Sequence, residues 1–115
     1  MKIARYFLIV PMLFLVSSVH GQDPQPIDLQ PLIVECEGCH GPNGNSNRDD
    51  VPILAGRPAT EIEEGIAEFY FYERHCPNVT PQYGDRPATP LNMCKVANTL
   101  SKEEVKALAQ YFASQ

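Results

Sequence analysis

A chain of 115 residues with a net charge of −5 and no tryptophan is one small domain at most. Its acidic balance argues against nucleic acid or an anionic membrane surface as partner. A core of this size is modest on its own, so four cysteines point to a covalent staple.

The N-terminus reads as a targeting segment. Lys2 and Arg5 give a positive start, and Tyr6 to Val16 is an apolar run of 11 residues. Val19 and Gly21 stand three and one places before a cut after Gly21, which is the pattern of a secretory signal peptide. The run is shorter than the roughly 20 apolar residues that span a bilayer, and Pro11 interrupts it. The expectation for residues 1–21 is therefore a cleaved signal, periplasmic export and no stable membrane insertion. Cleavage removes Lys2 and Arg5 but no acid, so the charge of the remaining 94 residues becomes −7. Such a surface suits docking to a basic partner, and equally a solvated face with no docking role.

Residues 22–31, rich in proline and polar side chains, predict a loose lead-in, with the folded domain over residues 32–115. Asp28 is placed to cap a short helix through Leu32, Ile33 and Val34. That helix carries Cys36-Glu37-Gly38-Cys39-His40 at its C-terminal end, where Gly38 and Gly41 favour termination. C-x-x-C-H is the attachment pattern of a c-type haem. Two thiols must reach the two vinyl groups of one porphyrin, and an imidazole must reach its iron. Positions i, i+3 and i+4 share a helix face, so Cys36, Cys39 and His40 can converge on one planar ligand. Gly38 is expected to keep bulk away from that ligand.

Residues 41–50 form a polar, turn-rich loop, and Val51 to Arg57 a short apolar island in extended or turn conformation. A second helix is predicted from about Pro58 or Thr60 to Tyr72. Thr60 and Glu63 fit a capping box, and Ile62, Ile66, Phe69 and Tyr70 share a face. From His75 to Pro90 the chain is irregular, with prolines at 77, 81, 87 and 90. Loops that long in a small domain are usually functional or tied down. The final helix is the clearest local signal. Ser101 caps it, Glu104 completes the box, Leu100 and Val105 form a hydrophobic staple, and Val105, Leu108, Ala109 and Phe112 make one apolar stripe. There is no internal repeat, so one haem is expected.

An iron held by one histidine keeps an open axial position, which permits gas binding; a methionine there makes a six-coordinate carrier of raised potential. Met1 and Met12 leave with the leader, so Met93 is the remaining candidate, 53 residues beyond His40. The rival ligand is His75, and the plain alternative is a Met93 that only fills a core gap. Cys76 and Cys94 are the other two cysteines. In an exported chain they suggest a disulfide closing a 19-residue loop, with two buried free thiols as the alternative. Zinc lacks a second close ligand pair, and no strand-helix-strand pattern supports a thioredoxin-like site.

In sum these pieces resemble the class I c-type cytochromes: Cys36-Glu37-Gly38-Cys39-His40-Gly41, Gly44 and Ser46, Pro52-Ile53-Leu54-Ala55-Gly56, Met93, and the closing stretch from Leu100 to Ala113. Within that family the chain is most similar to the cytochrome subunit of flavocytochrome c sulfide dehydrogenase, through Arg86-Pro87-Ala88-Thr89, Met93-Cys94 and the upstream Cys76. The resemblance implies an all-α fold of three to five helices around one covalent haem c. It implies axial ligands His40 and Met93, and a Pro52 carbonyl that accepts the proton on the far nitrogen of the ligating histidine. Arg57 departs from the glutamine of many relatives, either as a surface charge or as a partner for a haem propionate. The implied role is single-electron transfer with no bond chemistry of its own. Its partners would be redox proteins, among them a flavoprotein that oxidises sulfide, or a terminal oxidase if the chain is a free shuttle. Two other classes compete: a haem-based gas sensor, and a metal-free secreted binding domain held by two disulfides.

Overall fold

A computed structural model describes Gly21, residues 25–84 and residues 89–115. The expected signal segment, and Arg86 to Ala88 of the closer resemblance, lie outside the described residues. Among the described residues four helices follow in order: α1 (Gln30–His40), α2 (Ala59–Tyr70), α3 (Met93–Ala97) and α4 (Lys102–Ala113). A 3-10 turn at Pro42–Gly44 follows α1. Among the described residues there is no strand, only an isolated antiparallel bridge between Val79 and Leu91. The expected all-α fold is the one observed.

α1 begins at Gln30, so the lead-in is two residues shorter than expected. Leu29 is its N-cap without a side-chain bond, while Asp28 Oδ1 accepts from the Gln30 amide at 3.3 Å. Pro31 fits the first turn because an amide there has no intrahelical acceptor. The helix stops at Gly41, whose φ of 80° suits glycine. A Cβ at that position would lie 2.5 Å from the Asn45 carbonyl oxygen.

α2 corrects the predicted capping box. Pro58 is the N-cap, with no side-chain bond, so Thr60 already lies inside the first turn and cannot cap. The helix ends at Tyr70, and Tyr72 turns left-handed at φ 57°. Ile62 is buried, but Tyr70 is exposed rather than on the packed face. Five-residue α3 was not foreseen; Asn92 caps it by accepting from the Lys95 amide at 3.0 Å. α4 matches its sequence signature closely. Ser101 Oγ accepts from the Glu104 amide at 3.1 Å, and Glu104 Oε2 accepts from the Ser101 amide at 2.8 Å.

The core joins three of these helices: Ile33 of α1, Ile62 of α2, and Leu108, Ala109 and Phe112 of α4. Phe112 is fully buried, and side-chain burial of that kind stabilises by about 1.5–3 kcal/mol. The island after α1 is seated on this core. Gly44 (φ 77°) places its carbonyl to accept from Leu54 and Ala55 at 2.8 and 3.2 Å. The Gly56 amide donates to the Phe112 carbonyl at 2.9 Å. Residues 51–56 are thus fixed from both sides, which matters for Pro52 below.

Two substitutions separate these contributions. Ser101→Ala removes one cap bond and is expected to cost about 1 kcal/mol in chemical denaturation. Gly44→Ala is expected to cost more, because its Cβ would meet Phe112 Cδ1 at 2.8 Å in a backbone region that disfavours alanine.

Candidate functional site

The last turn of α1 opens onto a cleft of about 190 Å³. Cys36, Cys39 and His40 line it from α1; Val51, Pro52 and Leu54 from the island; Ile62, Ile66 and Phe69 from α2. Leu91, Asn92, Met93 and Val96 also line it, with charged groups such as Asp50, Arg57 and Arg74. Apolar side chains predominate, with a thiol pair, an imidazole and a thioether among them. Met93 lies in this lining, whereas His75 is exposed and outside it.

His40 is 7% exposed, and its Nδ1 lies 2.8 Å from the Pro52 carbonyl oxygen. A carbonyl oxygen can only accept, so Nδ1 carries the proton and donates. Burial lowers the imidazole pKa, the bond to Pro52 opposes that, and the Arg57 charge adds to the lowering. The neutral ring therefore holds its lone pair on Nε2, the nitrogen left for a metal. Both motif thiols are half-buried and not disulfide-bonded. Burial pushes Cys36 up to about 12, reinforced by Glu35. Burial also raises Cys39, while Arg48 pulls the other way.

One expectation about the motif is corrected. Gly38 does not face the cleft: a Cβ there would meet Pro81 Cβ at 3.7 Å and the Tyr83 carbonyl oxygen at 3.8 Å. Its own carbonyl accepts from Gln82 and Tyr83 at 2.9 and 3.1 Å. Residues 81–83 pack on this side of the helix at ordinary contact distance, so a Cβ would be accommodated and the glycine makes no space for a ligand.

Cys76 and Cys94 form a disulfide with Cα atoms 5.9 Å apart, inside the usual range for such a bond. It ties the residue after Met93 to the far end of the proline-rich stretch. Arg57 lines the cleft, donates from Nε to the Ile53 carbonyl at 3.2 Å and stands 4.0 Å from Glu61. Three cleft features escaped the sequence. Arg74 pairs with Glu68 at 2.7 Å and lies over the Phe69 ring. Asp50 lines the cleft and holds Arg48. Asn92 caps the helix that Met93 begins. The Arg48–Asp50 pair is two residues apart in a loop, the Arg74–Glu68 pair crosses the end of α2, and a five-residue helix makes the Asn92 cap hard to see.

The family model for cytochrome c matches residues 32–115. The chain belongs to the cytochrome c family, whose members bind a covalently attached haem c and transfer electrons. Neither a search of curated proteins nor one of solved structures returned a match. The donor set fits the group: two thiols three residues apart, one imidazole with its Nε2 lone pair available, and one thioether, all lining one apolar cleft.

Reduction of the disulfide has a calculable cost. In the chain-entropy model, replacing Cys76 and Cys94 by serine is expected to lower stability by roughly 3 kcal/mol for a loop of this length. Denaturant titration of the haem-loaded wild type and double variant measures it.

Proposed function

We propose that this chain is an exported, periplasmic electron carrier in which Cys36 and Cys39 anchor the haem and His40 and Met93 ligate its iron. A bound haem supplies a one-electron ferric–ferrous couple. The observation that carries the reading is the convergence of Cys36, Cys39, His40 and Met93 on one cleft, with the His40 tautomer set by Pro52. The chain's own residues attach, orient and shield. The Pro52 bond fixes the ring and raises its basicity as a ligand. A thioether ligand raises the potential relative to a second imidazole. Apolar side chains of α2 and residues 91–96 exclude water, which favours the less charged reduced state. Arg57, at the cleft, offers a cation to an acidic edge of the porphyrin.

The physiological partner we propose is a sulfide-oxidising flavoprotein, with this chain as its electron-accepting subunit. Support for it comes from the sequence: Arg86-Pro87-Ala88-Thr89, Met93-Cys94 and Cys76. The acidic balance of the chain suits a partner face carrying lysine and arginine. No helix among the described residues is long and apolar enough to cross a membrane.

The reduced protein is expected to give a sharp low-spin spectrum that carbon monoxide leaves unchanged. Met93→Ala is expected to bind carbon monoxide and to lose the weak long-wavelength band of iron–thioether ligation. A wild type that binds carbon monoxide readily would contradict the ligand assignment and favour a gas sensor. Affinity purification from native periplasm, with flavin fluorescence as readout, tests the partner. Recovery of the cytochrome alone would favour a free shuttle.

A further inference from the structure

The cleft has two banks far apart in sequence. One is the last turn of α1, with Cys36, Cys39 and His40; the other is the segment that ends in Met93. Arg48, in the loop after α1, reaches the second stretch of chain at Thr80. Its Nε and Nη2 donate to the two Asp50 carboxylate oxygens at 2.8 and 2.7 Å, and its Nη1 donates to the Thr80 carbonyl at 2.7 Å. The side chain is only 12% exposed, against 59% for Asp50, so the cation is the covered member of the pair. Asp50 holds two of the fork's donors in plane, and that aims a third at a carbonyl 32 residues away.

Thr80 is next to Val79, and Val79 exchanges both backbone hydrogen bonds with Leu91, at 2.7 and 2.9 Å. Leu91 is two residues before Met93. We infer that Arg48 is a positioning residue: by gripping the Thr80 carbonyl it holds the Val79–Leu91 bridge and so fixes where Met93 sits relative to His40. This rests on the proposed His40/Met93 ligation. The disulfide fixes the chain just after Met93, and the Arg48 grip fixes it just before. A planar guanidinium is suited to the task because it serves a carboxylate with two donors while keeping another for a carbonyl. A lysine ammonium is a point charge without that fork.

The test uses haem-loaded protein and imidazole, a small ligand that must displace the thioether from ferric iron. With Arg48→Gln the affinity for imidazole is expected to rise by on the order of threefold or more, because an ionised donor leaves the loop. The thioether band is expected to weaken in step. Ser101→Ala serves as the control for general destabilisation, since it loosens α4 without touching this loop; its imidazole affinity is expected to match wild type. Arg48→Lys is expected to fall between wild type and Arg48→Gln, and carries the test if the glutamine variant does not load haem. A smaller change in Arg48→Gln, or an equal rise in Ser101→Ala, overturns the inference while leaving the ligand assignment intact. So does an Arg48→Lys affinity equal to wild type, where that variant carries the test. A wild type without the thioether band removes the ligation reading, and the positioning role falls with it.

Discussion

The carbonyl of Pro52 has no proton to give, so the imidazole nitrogen 2.8 Å away must supply one. From that requirement the tautomer of His40 follows, and with it the identity of the nitrogen that can bind a metal. The bond also needs a backbone that stays in place. Residues 51–56 have no regular structure of their own, so their position is borrowed. The Gly44 carbonyl holds Leu54 and Ala55, and the Phe112 carbonyl holds the Gly56 amide. Phe112 is itself a core residue of α4. A ligand nitrogen near the N-terminal side of the domain is thereby aimed by a helix at its C-terminal end.

The Met93 side is built differently. Here the chain relies on ties made by side chains and sulfur: the Cys76–Cys94 disulfide, the Asn92 cap and the Arg48 grip on Thr80. Gly38, at the centre of the attachment motif, takes part by accepting from Gln82 and Tyr83. The motif thus serves two ends at once. One side of its helix presents the donors, and another receives the segment that leads on to the second candidate ligand. Segments with few buried apolar contacts gain order chiefly from such ties, which is why a covalent bond sits beside Met93.

How far this could be read from sequence depended on distance along the chain. The α4 capping box is legible because Ser101 and Glu104 are three residues apart and each satisfies the other's amide. The Cys36, Cys39 and His40 triad is legible for the same reason, being one turn of helix. Pro52 entered only through family resemblance, since nothing in its own neighbours marks its carbonyl as an acceptor. The Arg48–Thr80 contact crosses 32 residues and leaves no local trace. The start of α2 falls where expected, but Pro58 serves as the N-cap, with its restricted φ already suited to the helix start, so the apparent Thr60 box is not formed. Gly38 is expected against the ligand but packs on residues 81–83, more than 40 residues further along the chain, which no local pattern reveals.

Covalent attachment at the α1 motif is the claim on which the site, its ligands and its chemistry depend. The direct measurement is peptide mass spectrometry on protein exported from a host competent in cytochrome maturation. The expected result is a single haem on the peptide containing Cys36 and Cys39, with Cys76 and Cys94 recovered as a linked pair. A motif peptide of unmodified mass, or one bridged internally between Cys36 and Cys39, would contradict it.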